Sequence, residues 1–476
     1  MLEVQRGHQA VHRPEQRRPP ALLPLPVPEA APAADDAVPE RPGLAPGVTL
    51  RGPLESGFRD RQWLVERDGA FAQLPELLYR VAEHADGQRT LEEIAAAVSA
   101  ATGRDVSADL VRLILRSKLI PHGLITGPGT AQTKPRRGRR ALKLRFRFMD
   151  PQRLEPLMRP LQVLYVPLVL IPLLLLIVAS RVWLYAMHGA ATQLGQAFTT
   201  PGMLPLAVAI LIPAAAFHEL GHATALRYGG GRVRGIGAGF YLVYPVFYTD
   251  VTDAYRLGRW ARVRTDLGGF YFHLLFSLGL LGLYGLTGQS VFLVAVLLID
   301  AEIVRQSLPF LRFDGYWTLA DLVGIPDFYT LMGRFLRSVL PRRWRRGPGL
   351  PRLQGWVTAV FALFVLLAVP ALGAFMFFLL TNLPHFAGTI WHALPLNGGA
   401  FLAALRAGDG LGMAAAGTQV LVLILTGAGL LVILCSLARD VLSLAGGVRR
   451  LAWRWLSRRV RSSRAGPRAV HALVVR

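Results

Sequence analysis

Charge is scarce in this chain, and negative charge scarcer than positive. Only 17% of the 476 residues are charged while 52% are hydrophobic, where a soluble chain would carry about a quarter charged. That leaves too little polar surface for one or two water-soluble domains, so part of the chain is expected in lipid. A single cysteine, Cys435 in an apolar run, excludes a disulfide framework and any cysteine-based metal cluster. From residue 156 to the C-terminus there are only two glutamates, Glu219 and Glu302. Residues 1–55, poor in aromatics and rich in Pro, Ala and Arg, cannot bury enough surface to fold and read as a disordered tail without an apolar signal-peptide core.

What is present is a net charge of +23, and its placement decides its meaning. Apolar segments at 161–181, 204–226, 267–287, 290–308, 355–381 and 417–438 each approach the roughly 20 residues needed to cross a bilayer. Segments 134–159, 227–266, 309–354 and 449–476 hold 10, 7, 8 and 9 basic residues, whereas the loops on the opposite side contribute only Arg181 and Arg406. The positive-inside rule then places both termini and the two long middle loops in the cytoplasm. The excess charge faces lipid headgroups, and no DNA- or RNA-binding motif accompanies it, so nucleic acid is not an expected partner. Of the 53 basic residues 50 are Arg, the mark of a GC-rich bacterial coding bias. The expected layout is the tail 1–55, a small front domain 56–127, a basic linker 128–160, a membrane domain 161–445 and a basic cytoplasmic tail 446–476. The fold class is mainly α, with six spans.

The second span ends in His218-Glu219-Leu220-Gly221-His222. Residues four apart share a helix face, so both imidazoles can reach one metal. Neutral imidazole suits Zn²⁺, and a glutamate beside the first ligand can take a proton from the attacking water. With eleven His and thirteen Glu in the chain, about 0.01 such matches are expected by chance. A mononuclear zinc hydrolase also needs a third protein ligand. Asp314, in Phe313-Asp314-Gly315-Tyr316, follows the fourth span level with the His pair, and Gly315 permits a close backbone approach. His273, Asp266, Asp300 and Glu302 compete for the same place, although Arg305 offers the last two an ion-pair partner.

HELGH in one membrane helix, with a (Leu/Phe)-Asp-Gly motif about 90 residues later, resembles the site-2 protease family of intramembrane zinc metalloproteases. The resemblance spans about 200–330 and implies His218, His222 and Asp314 as zinc ligands with Glu219 as general base. Two departures stand out. Leu308-Pro309 replaces an Asn-Pro pair, and Gly268-Gly269-Phe270-Tyr271-Phe272-His273 replaces a Gly-Pro…Asn pattern, so His273 could hold substrate, touch the metal or make a helix–helix hydrogen bond. FDGYW resembles the peptide zinc metalloprotease subgroup. The aromatic, β-branched run 240–249 is strand-like; the family places this region beside the zinc, where a peptide could add to its edge, and an interfacial aromatic belt is the alternative. Asp250 and Asp253 read as loop-capping residues.

In the front domain, Thr90 and Glu93 form a capping box, and Ser107 caps a second helix with Leu110, Leu113 and Ile114 on one face. The string from Asp86 to Ile125 resembles PqqD-like domains, small winged-helix-type modules, and implies capture of a precursor's leader peptide by strand addition. Together these features predict a multi-pass zinc endopeptidase of the bacterial cell membrane, removing a leader during maturation of a ribosomally made, modified peptide. Cleavage of a transmembrane signalling protein and non-proteolytic peptide export or immunity are the alternatives. The loop 382–416, with His385 and His392, is expected to connect spans.

Overall fold

A computed structural model describes residues 38–126, 142–188, 203–241, 244–339 and 350–463, with side chains described as far as Arg439 in the last helix. Of the expected tail, residues 1–37 lie outside the described residues, as do 127–141 of the linker and 464–476 of the basic C-terminal tail. The chain divides into two compact units, the first comprising residues up to 140, 145–239 and 247–381, the second 141–144, 240–246 and 382–476.

The front region opens earlier than the composition suggested. Strand β1 (Val48–Leu54) lies inside the stretch expected to be disordered, and it pairs antiparallel with β2 (Gln62–Arg67), which pairs with β3 (Ala70–Pro75). Alternate β1 residues are half-buried, so Val48, Leu50 and Leu54 supply the apolar face that a Pro/Arg count overlooks. Helices α1 (Glu76–His84), α2 (Leu91–Thr102) and α3 (Ala108–Ile114) follow. Three strands thus precede three helices. The Thr90–Glu93 box forms in both directions, and Gly103 ends α2 in a left-handed conformation. Ser107 accepts from Leu110 N as a cap, but the buried face of α3 is Val111, Ile114 and Leu115, while Leu113 is exposed.

Beyond β4 (Leu142–Met149) come α4 (Pro151–Leu161), α5 (Pro167–Val182) and α6 (Met203–Tyr228). The run 240–249 resolves into a hairpin, β5 (Ile236–Tyr241) and β6 (Tyr244–Thr249), in a sheet ordered β4-β5-β6. Next stand α7 (Arg259–Thr287), α8 (Ser290–Ser307), α9 (Asp314–Val323), α10 (Phe328–Val339) and α11 (Gly355–Thr381). The last two helices are α12 (Leu383–Ala407) and α13 (Gly410–Ser463), in the second unit.

Among the described residues, five segments are long and apolar enough to cross a membrane: Pro167–Met187, Pro205–Tyr228, Arg259–Thr287, Gly355–Thr381 and Gly410–Arg439. This is consistent with a membrane protein. The expected span at 290–308 is a helix, α8, but not one of the five; its 18 residues include Asp300, Glu302 and Arg305, of which Asp300 pairs with Arg181 and Glu302 with Arg305. Nor is 382–416 a connecting loop, because Leu383–Ala407 is helical through Pro395. Gly408 then takes a left-handed turn, and Asp409 caps the next helix by accepting from Leu411 N and Gly412 N.

Candidate metal centre

The centre forms where α6, α7 and α9 meet. A Cβ on Gly221 would lie 2.3 Å from Gly268 O, and one on Gly268 would lie 2.6 Å from Gly221 O. Helices α6 and α7 therefore cross backbone to backbone, the contact that small residues permit between membrane helices. Tyr165, just before α5, braces the crossing by donating its hydroxyl to Gly221 O at 3.0 Å.

This crossing turns both histidines of HELGH inward, where His218 and His222 are buried. Their Nε2 atoms stand 3.0 Å apart. Asp314 Oδ2 lies 2.9 Å from His218 Nε2 and 3.4 Å from His222 Nε2. The three form the one group of candidate metal ligands among the described residues.

Several observations test whether a metal fits. His222 Nδ1 lies 2.8 Å from Thr265 O; a carbonyl only accepts, so Nδ1 carries the proton and Nε2 keeps its lone pair. Asp314 Oδ2 is buried without a hydrogen-bond partner despite its closeness to both rings. Two nitrogens and an oxygen thus crowd together with the carboxylate oxygen left unpartnered, a situation a cation relieves. Ligand atoms about 2.0–2.1 Å from a tetrahedral zinc stand about 3.3 Å apart, close to the separations here. Gly269 completes the argument, since its Cβ would fall 2.5 Å from both Nε2 atoms. Space at the convergence exists because position 269 has no side chain. Nitrogen and carboxylate donors in this number suit zinc.

Asp314 is the first residue of α9, and its carboxylate does not cap the helix. Its carboxylate reaches back to both imidazole rings. Gly315 allows the close approach, though to a different neighbour than anticipated: a Cβ there would lie 2.3 Å from Ser307 O at the end of α8. Leu308, where the resembling family has Asn, ends α8 in extended backbone. Behind the turn, Asp327 accepts from Tyr316 Oη at 2.7 Å and Arg312 at 2.8 Å, anchoring the segment that presents Asp314.

The competitors are accounted for elsewhere. His273 is buried beside His218, with the two Nδ1 atoms 3.1 Å apart. It joins α7 to a candidate ligand through the nitrogen pointing away from the convergence, rather than adding a fourth donor. Asp300 pairs with Arg181 at 3.0 Å and accepts from Tyr185 Oη. Glu302 pairs with Arg305. Asp266 faces Asp321, whose carboxyl is pushed up by burial against the opposing charge of Arg262, 3.0 Å away. Asp250 accepts from Thr252, and Asp253 from Arg232 N. His385 and His392 lie on α12, in the other unit.

Sequence reasoning missed Thr249. This last residue of β6 donates its hydroxyl to Glu219 Oε2 at 2.8 Å and lies 2.9 Å from the Glu219 carbonyl. The strand run was visible in the sequence, but its registration against α6 required the fold.

No family model and no solved structure matches this chain. It is similar to a Bacillus subtilis (strain 168) protein named "Putative peptide zinc metalloprotease protein YydH", with 26% identity over 115 residues, 23% of this chain. The match spans 45% of that protein's length.

Proposed function

We propose that this chain is a membrane zinc endopeptidase of the site-2 type. The observation that carries the reading is the convergence of His218 Nε2, His222 Nε2 and Asp314 Oδ2 with Glu219 on the same helix. The name of the Bacillus subtilis relative supports peptidase chemistry.

When bound, zinc would polarise the scissile carbonyl and favour deprotonation of water near neutral pH. His218, His222 and Asp314 would hold it, with Thr265 O and His273 fixing the two rings through their Nδ1 atoms. Glu219, next to the first ligand in the chain, is the carboxylate assigned to proton transfer. It takes the proton of the attacking water and delivers it to the departing amine. Thr249 restrains Oε2, so the carboxylate is aimed rather than free to rotate. β6 is an edge of its sheet and ends at Thr249. A substrate peptide adding along that edge would be held extended and led toward Glu219.

In this reading the front region, PqqD-like in sequence, captures the leader of a precursor peptide, and with α8 as a sixth crossing both termini face the cytoplasm, where the basic segments lie. The enzyme then removes the leader during maturation of a modified peptide. The test is mass spectrometry of small peptides from cells carrying wild type or Glu219→Gln. A longer, leader-bearing peptide accumulating only in the variant is expected. Identical profiles, with the precursor shown to be expressed and processed, would reject catalysis and favour peptide export or immunity.

A further inference from the structure

The segment joining β1 to β2 runs against the starts of two membrane-capable helices. Gly57 N donates to Gly324 O at 2.9 Å, Arg59 N to Arg352 O at 2.8 Å, and Gln354 N to Gly57 O at 3.0 Å. A polar cavity of about 420 Å³ opens there, lined by Glu55, Arg59, Arg61, Arg259, Trp260 and Gln354 among others. Arg259 begins the segment Arg259–Thr287, and Gln354 immediately precedes Gly355–Thr381. The cavity therefore sits where two membrane-capable helices leave the bilayer. Trp260 and Trp356, 73% and 46% exposed, mark the same level, since tryptophan favours the headgroup region.

The charges of this cavity are unbalanced. Three guanidiniums face one lining carboxylate, Glu55, whose side chain is two-thirds exposed. Arg259 Nε is buried without a hydrogen-bond partner; the nearest Glu55 oxygen is 3.7 Å away, and the guanidinium lies 6.0 Å over the Trp356 ring. Arg59 spends its Nε on Leu353 O at 3.1 Å, which fixes the direction of its side chain. Arginines converging on a cavity suit a phosphate group, which they bind through paired N–H donors. Trp260 and Phe58 give the lining an apolar part beside the cations.

We propose that this cavity binds the phosphate headgroup of an anionic phospholipid. Arg59 and Arg61 come from the front region and Arg259 from a membrane helix, so a bound headgroup would fasten one to the other. The inference rests on the membrane placement of α7 and α11 and not on the peptidase reading.

Native mass spectrometry of the detergent-purified full chain, with added phosphatidylglycerol or phosphatidylcholine, tests it. Wild type should retain one phosphatidylglycerol in preference to phosphatidylcholine, and millimolar inorganic phosphate should not displace it. Arg61→Gln and Arg259→Gln should each weaken retention roughly fivefold, the value of about 1 kcal/mol per arginine. Glu55→Gln should strengthen it, an outcome that misfolding cannot imitate. Equal retention of both lipids, or no change in any variant, would overturn the proposal. Displacement by inorganic phosphate would overturn it in favour of a soluble phosphate ligand.

Discussion

In the front region two of the three helices begin on side-chain caps, α1 starting at Pro75 without one, and the helices meet through side chains. Thr90 and Glu93 cap α2 reciprocally, Ser107 caps α3, and Ile94, Val98, Val111 and Leu115 fill a core closed to solvent. At the candidate metal centre, α7, α8 and α9 begin at Gly258, Gln289 and Phe313 without any side-chain cap. There α6 and α7 meet through Gly221 and Gly268, main chain to main chain. In water the burial of large apolar groups drives packing. Between helices surrounded by hydrocarbon that drive is absent, and close backbone approach with a few polar contacts takes over. The same substitution should therefore have different consequences in the two places.

A single methyl group makes the sharpest contrast. Gly269→Ala puts a methyl where the ligand atoms converge, and zinc retained after dialysis should fall by more than about tenfold, as read by elemental analysis. Gly103→Ala, at φ +64, should instead cost only roughly 1–2 kcal/mol in thermal unfolding and leave zinc content unchanged. Comparable zinc in both variants would break the comparison.

Loss of a hydroxyl comes next. Thr249→Val removes the donor to Glu219 and should lower kcat by about tenfold or more with little change in KM, since hydrogen bonds to charged groups contribute about 1.5–3 kcal/mol. Thr249→Ser should restore kcat, and zinc content should stay constant throughout. A KM effect alone would point to substrate binding rather than to aim of the base. In the front region the analogous Thr90→Ala removes only a cap, and should cost about 1 kcal/mol of stability without touching kcat.

The smallest effect concerns pH. Burial opposes the charge on Glu66, but Arg256 and Arg51 prevail and hold its carboxyl below the ordinary value. A carboxyl depressed on folding contributes stability above its unfolded pKa of about 4.3, and that contribution is lost as pH falls through the lower folded value. Acid unfolding of the wild type should therefore steepen below about pH 4 relative to Glu66→Gln. Superimposable profiles would show that Glu66 does not couple the front region to Arg256.

Much of the site was written locally. The i, i+4 spacing of His218 and His222 fixes a shared helix face in any context, and the Thr90 and Ser107 caps are properties of four consecutive residues. What escaped notice was relational. The Thr249 hydroxyl meets Glu219 across 30 residues, and Arg181, not Arg305, partners Asp300. β1 looked disordered because composition alone does not show its alternating burial, and 382–416, expected to connect spans, forms a helix that continues past Pro395.

The clasp at residues 57–59 has a consequence in time. Arg59 bonds the carbonyl of Leu353, a partner 294 positions later in the chain. At the roughly 5–20 residues per second of ribosomal synthesis, that partner emerges about 15–60 s after Arg59. Throughout that interval a nascent front region can fold on its own core and meet Arg256 and then Gly324, but the arginine-lined cavity is missing its Gln354 wall. Attachment of the front region is thus a late event in biogenesis, completed only when the fourth of the five membrane-capable segments begins to emerge.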